Sequence, residues 1–240
     1  MVRAVQAVLF DMGGTLDGDG LHWLDRFAAL YADAGVRVPR ERLRSAFDAA
    51  EARAAVDESI VSAHLDAMVD KHVAWQLAHL DLERTELRQR VTERFAAAVR
   101  AAGAQNVRVL ADLSERGLKL GVVSNGCGNV DVLCADLGYA PFLSLVVDSR
   151  RVGLFKPDPA IFIYAAAKLR VPPANVMMVG DSFDRDVRPA RSAGMLTAWL
   201  EGPVSRDCPD PTLVDARLRR LSELPAVLES AAASVGARRS

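Results

Sequence analysis

The sequence predicts an α/β protein, a parallel sheet core flanked by helices, with a helical bundle inserted after the first strand. Three observations predict it. A short apolar run, Ala4 to Phe10, stops abruptly at Asp11 and a glycine pair. From about residue 21 to 102, apolar residues then recur at helical spacing with few glycines or prolines. After Gly103, short β-rich runs alternate with amphipathic stretches.

Each element follows from its residues. AVQAVLF at positions 4–10 reads as a buried first strand. Phe27, Leu30, Tyr31 and Ala34 form one helical stripe, and Leu65, Met68, Val69, His72 and Val73 a second. Leu87, Val91, Phe95 and Val99 form a third, so the block predicts about four helices. Downstream, Val107 to Glu115 predicts a helix stopped by Arg116-Gly117, and Leu118 to Ser124 a strand. Val130 to Leu137 predicts a helix with Gly138 as its C-terminal stop, and Leu143 to Val147 a strand. Pro159 to Leu169 is a helix, Val176 to Val179 a strand ending at Gly180-Asp181, and Val187 to Ala193 a helix closed by Gly194. Leu196 to Leu200 is a strand and Leu221 to Leu228 a last helix, with 231–240 expected to fray. The helical block falls between the first two strands. The core domain is therefore expected from residues 1–17 and 104–240, and an inserted helical cap domain from 18–103.

Composition narrows the function. Half of the 240 residues are apolar and a quarter charged, ordinary values for a soluble globular protein. The formal net charge is -1, which supplies no basic field, so nucleic acid is not an expected partner. The N-terminal run is short and lacks a small-residue cleavage site, and no stretch of about 18 apolar residues exists. Neither a signal peptide nor a membrane partner is expected. Cys127, Cys134 and Cys208 cannot all pair and form no CxxC, which fits a reducing, cytoplasmic setting. Cys127 is expected to be a spectator thiol.

In parallel sheets ligands bind beyond the carboxyl ends of the strands. Asp11-Met12-Gly13-Gly14-Thr15-Leu16-Asp17 follows the first strand, and Ser124-Asn125-Gly126 ends the second. Lys156-Pro157-Asp158-Pro159 follows the third, and Gly180-Asp181-Ser182-Phe183-Asp184-Arg185-Asp186 the fourth. Carboxylates from two loops suit a hard cation such as Mg²⁺, which takes oxygen ligands. A lysine and a hydroxyl beside that cation suit a phosphoryl group, and glycines 13, 14 and 126 let backbone N–H groups approach it. A carboxylate facing phosphorus can act as a nucleophile and give an acyl phosphate.

These four loops, in this order, resemble the four motifs of the haloacid dehalogenase (HAD) superfamily. FDMGGTLD resembles the first, VVSNG the second, GLFKPDP the third and VGDSFDRD the fourth. The resemblance spans roughly residues 4–17 and 104–228, and the helical insert sits where the family's first type of cap sits. It implies a Rossmann-like core and a Mg²⁺-dependent phosphatase acting on a small organic phosphate, such as a sugar phosphate or a biosynthetic intermediate. It also implies roles. Asp11 would be the nucleophile, and Lys156 would hold phosphate and offset charge on Asp11. Asp11, the backbone carbonyl of Gly13, Asp181 and Asp186 would bind the metal. Ser124, Asn125, Gly126, Gly14 and Thr15 would join Lys156 around the phosphate. The protein would be a monomer or homodimer.

One position departs from the pattern. Phosphatases of this family usually carry a second aspartate two residues after the nucleophile, which protonates the leaving alcohol and then activates water. Here that residue is Gly13. The alternative reading is therefore a degenerate member that binds a phosphometabolite or protein partner without turnover. Asp17, Asp19 and His22 are candidate substitutes, although Asp17 also suits bracing of the first helix. Asp186 suits an N-cap and Asp184 a solvated loop. The family's dehalogenases usually carry tyrosine at the Gly13 position, which argues against that chemistry. Its phosphonate-cleaving members use a cap lysine, for which Lys71 is the only candidate. The cap should set substrate choice by closing over the site, with His22, Arg26, His64, Lys71, His72 and His79 as its polar candidates.

Overall fold

The computed structural model describes residues 5–236. Six parallel strands form one sheet: β1 (Ala7–Phe10), β2 (Lys119–Ser124), β3 (Leu143–Asp148), β4 (Val176–Gly180), β5 (Leu196–Leu200) and β6 (Ala216–Leu218). Their order is β3-β2-β1-β4-β5-β6. The chain winds outward from β1 to one edge, then returns and winds to the other. That reversal beside β1 makes the crevice where ligands bind in such sheets.

The first strand shows why the core forms. Ala7, Val8, Leu9 and Phe10 are all fully buried, because helices cover both faces of a parallel sheet. Alternation then sorts them: Val8 and Phe10 join one apolar cluster, and Ala7 and Leu9 join the other. Between β1 and β2 lie α1 (Trp23–Asp33), α2 (Arg40–Ala54), α3 (Leu65–His79) and α4 (Thr85–Glu115). Trp23, Phe27, Phe47, His72 and Phe95 pack where these helices meet; the Phe27 and Phe95 rings stack with centroids 4.2 Å apart. This apolar cluster is continuous with the one under the sheet. Downstream come α5 (Val130–Asp136), α6 (Ser149–Val152), α7 (Ala160–Leu169), α8 (Arg188–Ser192) and α9 (Leu224–Gly236).

Two elements differ from the sequence reading. The helix expected at Val107 to Glu115 is the second half of α4, whose 31 residues run unbroken past Gly103. Gly103, the expected end of the cap, does not interrupt the helix. A Cβ there would lie 3.0 Å from Leu137 Cδ2 and 3.4 Å from the Tyr139 hydroxyl, so the glycine admits close helix packing. Gly103→Val is expected to cost about 1–3 kcal/mol by overpacking, read as a lower midpoint in urea unfolding. A gain in stability would mean the neighbours yield freely. Strand β6 escaped prediction because ARL is too short to show a period. The first residue expected in β1, Ala4, and the tail at 237–240 lie outside the described residues.

The segment entering the bundle is tied down. The Leu16 carbonyl accepts hydrogen bonds from Asn106 Nδ2 at 2.8 Å and the Tyr139 hydroxyl at 2.7 Å. Asp19 Oδ1 accepts from the Leu221 N–H at 2.7 Å.

Candidate active site

The site grows from strand ends. Phe10 pairs in register with Val122 of β2 and Val179 of β4. Asp11 therefore emerges between the ends of those strands, beside Ser124 and Asp181. Asp11, Asp181 and Asp186 each place one carboxylate oxygen within 4.8 Å of the others. Lys156 Nζ donates to Asp11 Oδ1 at 2.6 Å and to Asp186 Oδ1 at 2.7 Å. All four side chains are buried.

Electrostatics makes this cluster unusual. One ammonium faces three carboxylates in a region shut off from water. Burial, together with the charges of Asp11 and Asp186, holds the Asp181 carboxyl well above the ordinary carboxylate range. Burial pushes Asp186 up to about 6, against the opposing pull of Lys156. Burial alone would lower the Lys156 ammonium, but the two carboxylates overcome it and the net direction is up. The arrangement is short of positive charge, which is the condition for taking up a cation.

Short-range contacts fix the geometry. Gly14 has φ +89°, and a Cβ there would lie 2.7 Å from Asp181 Oδ2, so only glycine lets the first loop approach this carboxylate. The Thr15 hydroxyl accepts from the Asp181 N–H at 3.1 Å. The Gly14 N–H donates to Asp17 Oδ1 at 2.7 Å. Gly14 and Thr15, expected around the phosphate, are thus engaged with Asp17 and Asp181 and lie away from the cavity lining. Their short reach and the curl of the loop turn them inward. Asn125 exchanges two 2.8 Å hydrogen bonds with the backbone of Lys156, so its side chain braces the lysine loop. Asp186 is not the N-cap of α8; it lies in the preceding turn and accepts from the Ser182 N–H at 3.1 Å.

Above the cluster is a cavity of about 390 Å³. Its floor includes Asp11, Gly13, Ser124, Gly126 and Lys156. The Ser124 hydroxyl has no hydrogen-bond partner among the described residues. Asp17 also reaches the cavity, and burial raises its pKa to about 6 despite the opposing charge of Arg26. Both its oxygens are committed, however: Oδ1 to Gly14 and Oδ2 to the Trp23 indole N–H at 2.6 Å. In this geometry Asp17 braces the first loop against α1. Cys127 lines the wall as a thiol that burial pushes up to about 12, which leaves it unreactive.

The roof comes from the inserted helices. Of its expected polar residues only His22 lines the cavity. Arg26 pairs with Asp17, His64 with Asp136, Lys71 with Asp57 and Ser59, His72 with Glu51, and His79 with Ser45. Lys71 is therefore outside the reach of a Schiff-base role. Arg44, Asp48 and Glu51 of α2 were not anticipated, nor was Arg185. The three α2 residues stand at i, i+4 and i+7, one helix face, but a charged stripe in a sequence reads as a solvated one. Asp148 was also missed. Paired beside Ser124 at the end of β3, it accepts from the N–H groups of Gly128, Val130 and Arg150 and shapes the second loop.

A family model described as haloacid dehalogenase-like hydrolase matches residues 5–194. A glyceraldehyde 3-phosphate phosphatase of Methanopyrus kandleri is 40% identical over 95 residues, 39% of this chain and 41% of that protein. An N-acetylmuramic acid 6-phosphate phosphatase of Pseudomonas putida is 29% identical over 197 residues, 81% of this chain and 82% of that protein. The chain spans about half the length of most curated relatives it matches. The crystal structure of a HAD phosphatase from Thermococcus onnurineus matches with a TM-score of 0.57 and 24% identity over 93% of this chain and 98% of that one, a likeness of fold.

Proposed function

The chain belongs to the haloacid dehalogenase-like hydrolases, and from that membership we propose that it hydrolyses a small phosphate monoester, with Mg²⁺, through a phosphorylated Asp11. The observation that carries the reading is the cluster of three buried carboxylates with one ammonium beneath a cavity. The donor set fits the metal: all ligands are oxygens, the site lacks positive charge, and Mg²⁺ favours carboxylates together with phosphate oxygens. Asp11, Asp181, Asp186 and the Gly13 carbonyl would hold it. When bound, Mg²⁺ offsets charge on the phosphoryl oxygens and on the nucleophile.

The chain's own residues do the rest. Lys156 and the free Ser124 hydroxyl orient the phosphate, with N–H groups of the second loop at Gly126. An Asp11 oxygen attacks phosphorus as the bond to the leaving alcohol breaks. Water then hydrolyses the acyl phosphate, releasing phosphate and restoring Asp11. Gly13 cannot supply the proton for the leaving alcohol, and the hydrogen bonds from Gly14 and Trp23 orient Asp17 to brace the first loop. Leaving groups that need little proton help are therefore favoured, such as anomeric sugar phosphates. Gly13 also favours a second reading, a binding protein without turnover; the complete nucleophile, ammonium and carboxylate set supports the enzyme. Phosphate release from a panel of monoesters, with Mg²⁺ and then with excess chelator, separates them. No release from any member would leave the binding reading. The setting proposed for this chemistry remains the reducing cytoplasm.

Stability gives an independent check. Ionising Asp181 is costly in this buried site, and Lys156 makes no hydrogen bond to it. Without metal, Asp181→Asn is expected to gain about 1–2 kcal/mol by removing that cost. With Mg²⁺ at about a hundred times its Kd, the wild type gains about 2.7 kcal/mol and the variant little. The order of the two melting temperatures should therefore reverse on adding Mg²⁺. A variant less stable than wild type in chelator would refute the charge argument.

A further inference from the structure

Besides the floor, the cavity is lined by groups of the inserted helices, and one of them is held in an unusual way. A hydrogen-bonded chain crosses the apolar interior of the helical bundle. The Tyr31 hydroxyl lies 3.2 Å from Gln76 Oε1, Gln76 Nε2 lies 2.7 Å from His72 Nδ1, and His72 Nε2 lies 2.8 Å from Glu51 Oε1. Tyr31, Gln76 and His72 are all buried. The chain's direction follows from its members. Gln76 Oε1 only accepts, so the phenol donates to it; the amide N–H then donates to Nδ1, and His72 carries its hydrogen on Nε2 and donates to Glu51. Glu51 Oε2 has no hydrogen-bond partner among the described residues, and Glu51 lines the cavity.

Burial works to raise the Glu51 carboxyl. The hydrogen bond from His72 and the positive neighbours on its open side, Arg185 among them, overcome it and hold the group below its ordinary value. The result is an ionised, half-exposed acceptor held in position by His72 on the lining of the cavity that also holds Asp11. A carboxylate has no hydrogen to give, and a ligand that displaces its water must supply a donor or leave the charge unpaired. The rest of the lining is mixed: Phe47, Met68, Val130 and Leu133 are apolar, while Arg44, Asp48 and Arg185 are charged. At about 390 Å³ the cavity is near the small end of ligand pockets.

We infer that Glu51 is a leaving-group subsite: the substrate is a small phosphate monoester whose alcohol portion carries a further hydroxyl or ammonium donor that Glu51 accepts. The inference rests on the phosphatase reading above and deepens it. Arg44 and Arg185 share the lining, so a leaving group bearing only a carboxylate is the competing outcome.

The test compares kcat/KM of the full chain with Mg²⁺ on four monoesters. Propyl phosphate carries no donor, glycerol 3-phosphate carries hydroxyls, O-phosphoethanolamine carries an ammonium, and 2-phosphoglycolate carries a carboxylate alone. The wild type should prefer at least one donor substrate over propyl phosphate by about tenfold or more, the usual scale of a charge-assisted hydrogen bond. Glu51→Gln should erase most of that preference and leave propyl phosphate within about twofold, with an ammonium preference falling further than a hydroxyl one. Retained stabilisation by Mg²⁺ shows that the variant is folded. Equal rates on all four, a preference for 2-phosphoglycolate, or an equal loss on every substrate in Glu51→Gln overturns the subsite. If the wild type releases phosphate from none, the phosphatase reading itself fails and the subsite falls with it. Asp11-dependent release without a donor preference removes the subsite alone.

Discussion

Asp11→Asn lowers phosphate release by at least about 10⁴-fold, the expected scale for removing a nucleophile that acts as one unit with its neighbours. The change keeps shape and replaces only an oxygen by an amide nitrogen, which cannot attack phosphorus. Folding should survive. Lys156 keeps its 2.7 Å partner Asp186, and the variant removes one of three buried carboxylates that repel one another. The loss therefore belongs to chemistry. Parallel assays of released phosphate and far-UV circular dichroism read both quantities. Acid quenching of the wild type during turnover should trap a phosphorylated chain whose label maps to Asp11. A folded variant within about tenfold of wild type would mean that Asp11 is not the nucleophile.

Gly13→Asp carries the second large effect, in the opposite direction. General acid/base help is typically worth about 10²- to 10⁴-fold. Gly13 has φ −74° and ψ 113°, a conformation open to any residue. A Cβ there has Trp23 Nε1 at 3.9 Å as its only close neighbour. The new carboxylate thus fits without rebuilding the loop, points among cavity groups, and leaves the Gly13 carbonyl in place. Turnover on alkyl phosphates should rise by about tenfold or more, while aryl phosphates, whose leaving groups need no proton, change little. A fall on both would show a site adapted to the absence of that side chain, for instance because Asp11, Asp17 and a further carboxylate cannot coexist there.

Much of this was legible in the sequence, and the reason is local. A strand that stops at a polar cluster places that cluster on the sheet rim, whatever the rest of the chain does. Asp11, Ser124, Lys156, Asp181 and Asp186 follow from that rule, and the structure brings them together. What escaped depends on partners far apart in the chain. Gly103 served as the expected boundary of the cap because its use, admitting Leu137 and Tyr139, is written elsewhere. Thr15 looked like a phosphate ligand because nothing local reveals that its hydroxyl meets the Asp181 backbone. Glu51 carried no signal of its own among the charges of its helix; only the fold places His72 behind it. Asp148 ended an apolar run, and its three N–H partners depend on the register of β2 with β3.

The unbroken 31-residue α4 has a mechanical consequence. At 1.5 Å per residue it is a rod of about 46 Å, one half in the roof and the other against the floor. The entering strand of chain is also bolted down, at the Leu16 carbonyl and at Asp19. A lid hung on two slack tethers could swing wide; this one is clamped at both attachments. The expected motion is therefore flexing of the rod about these anchors, not a wide swing.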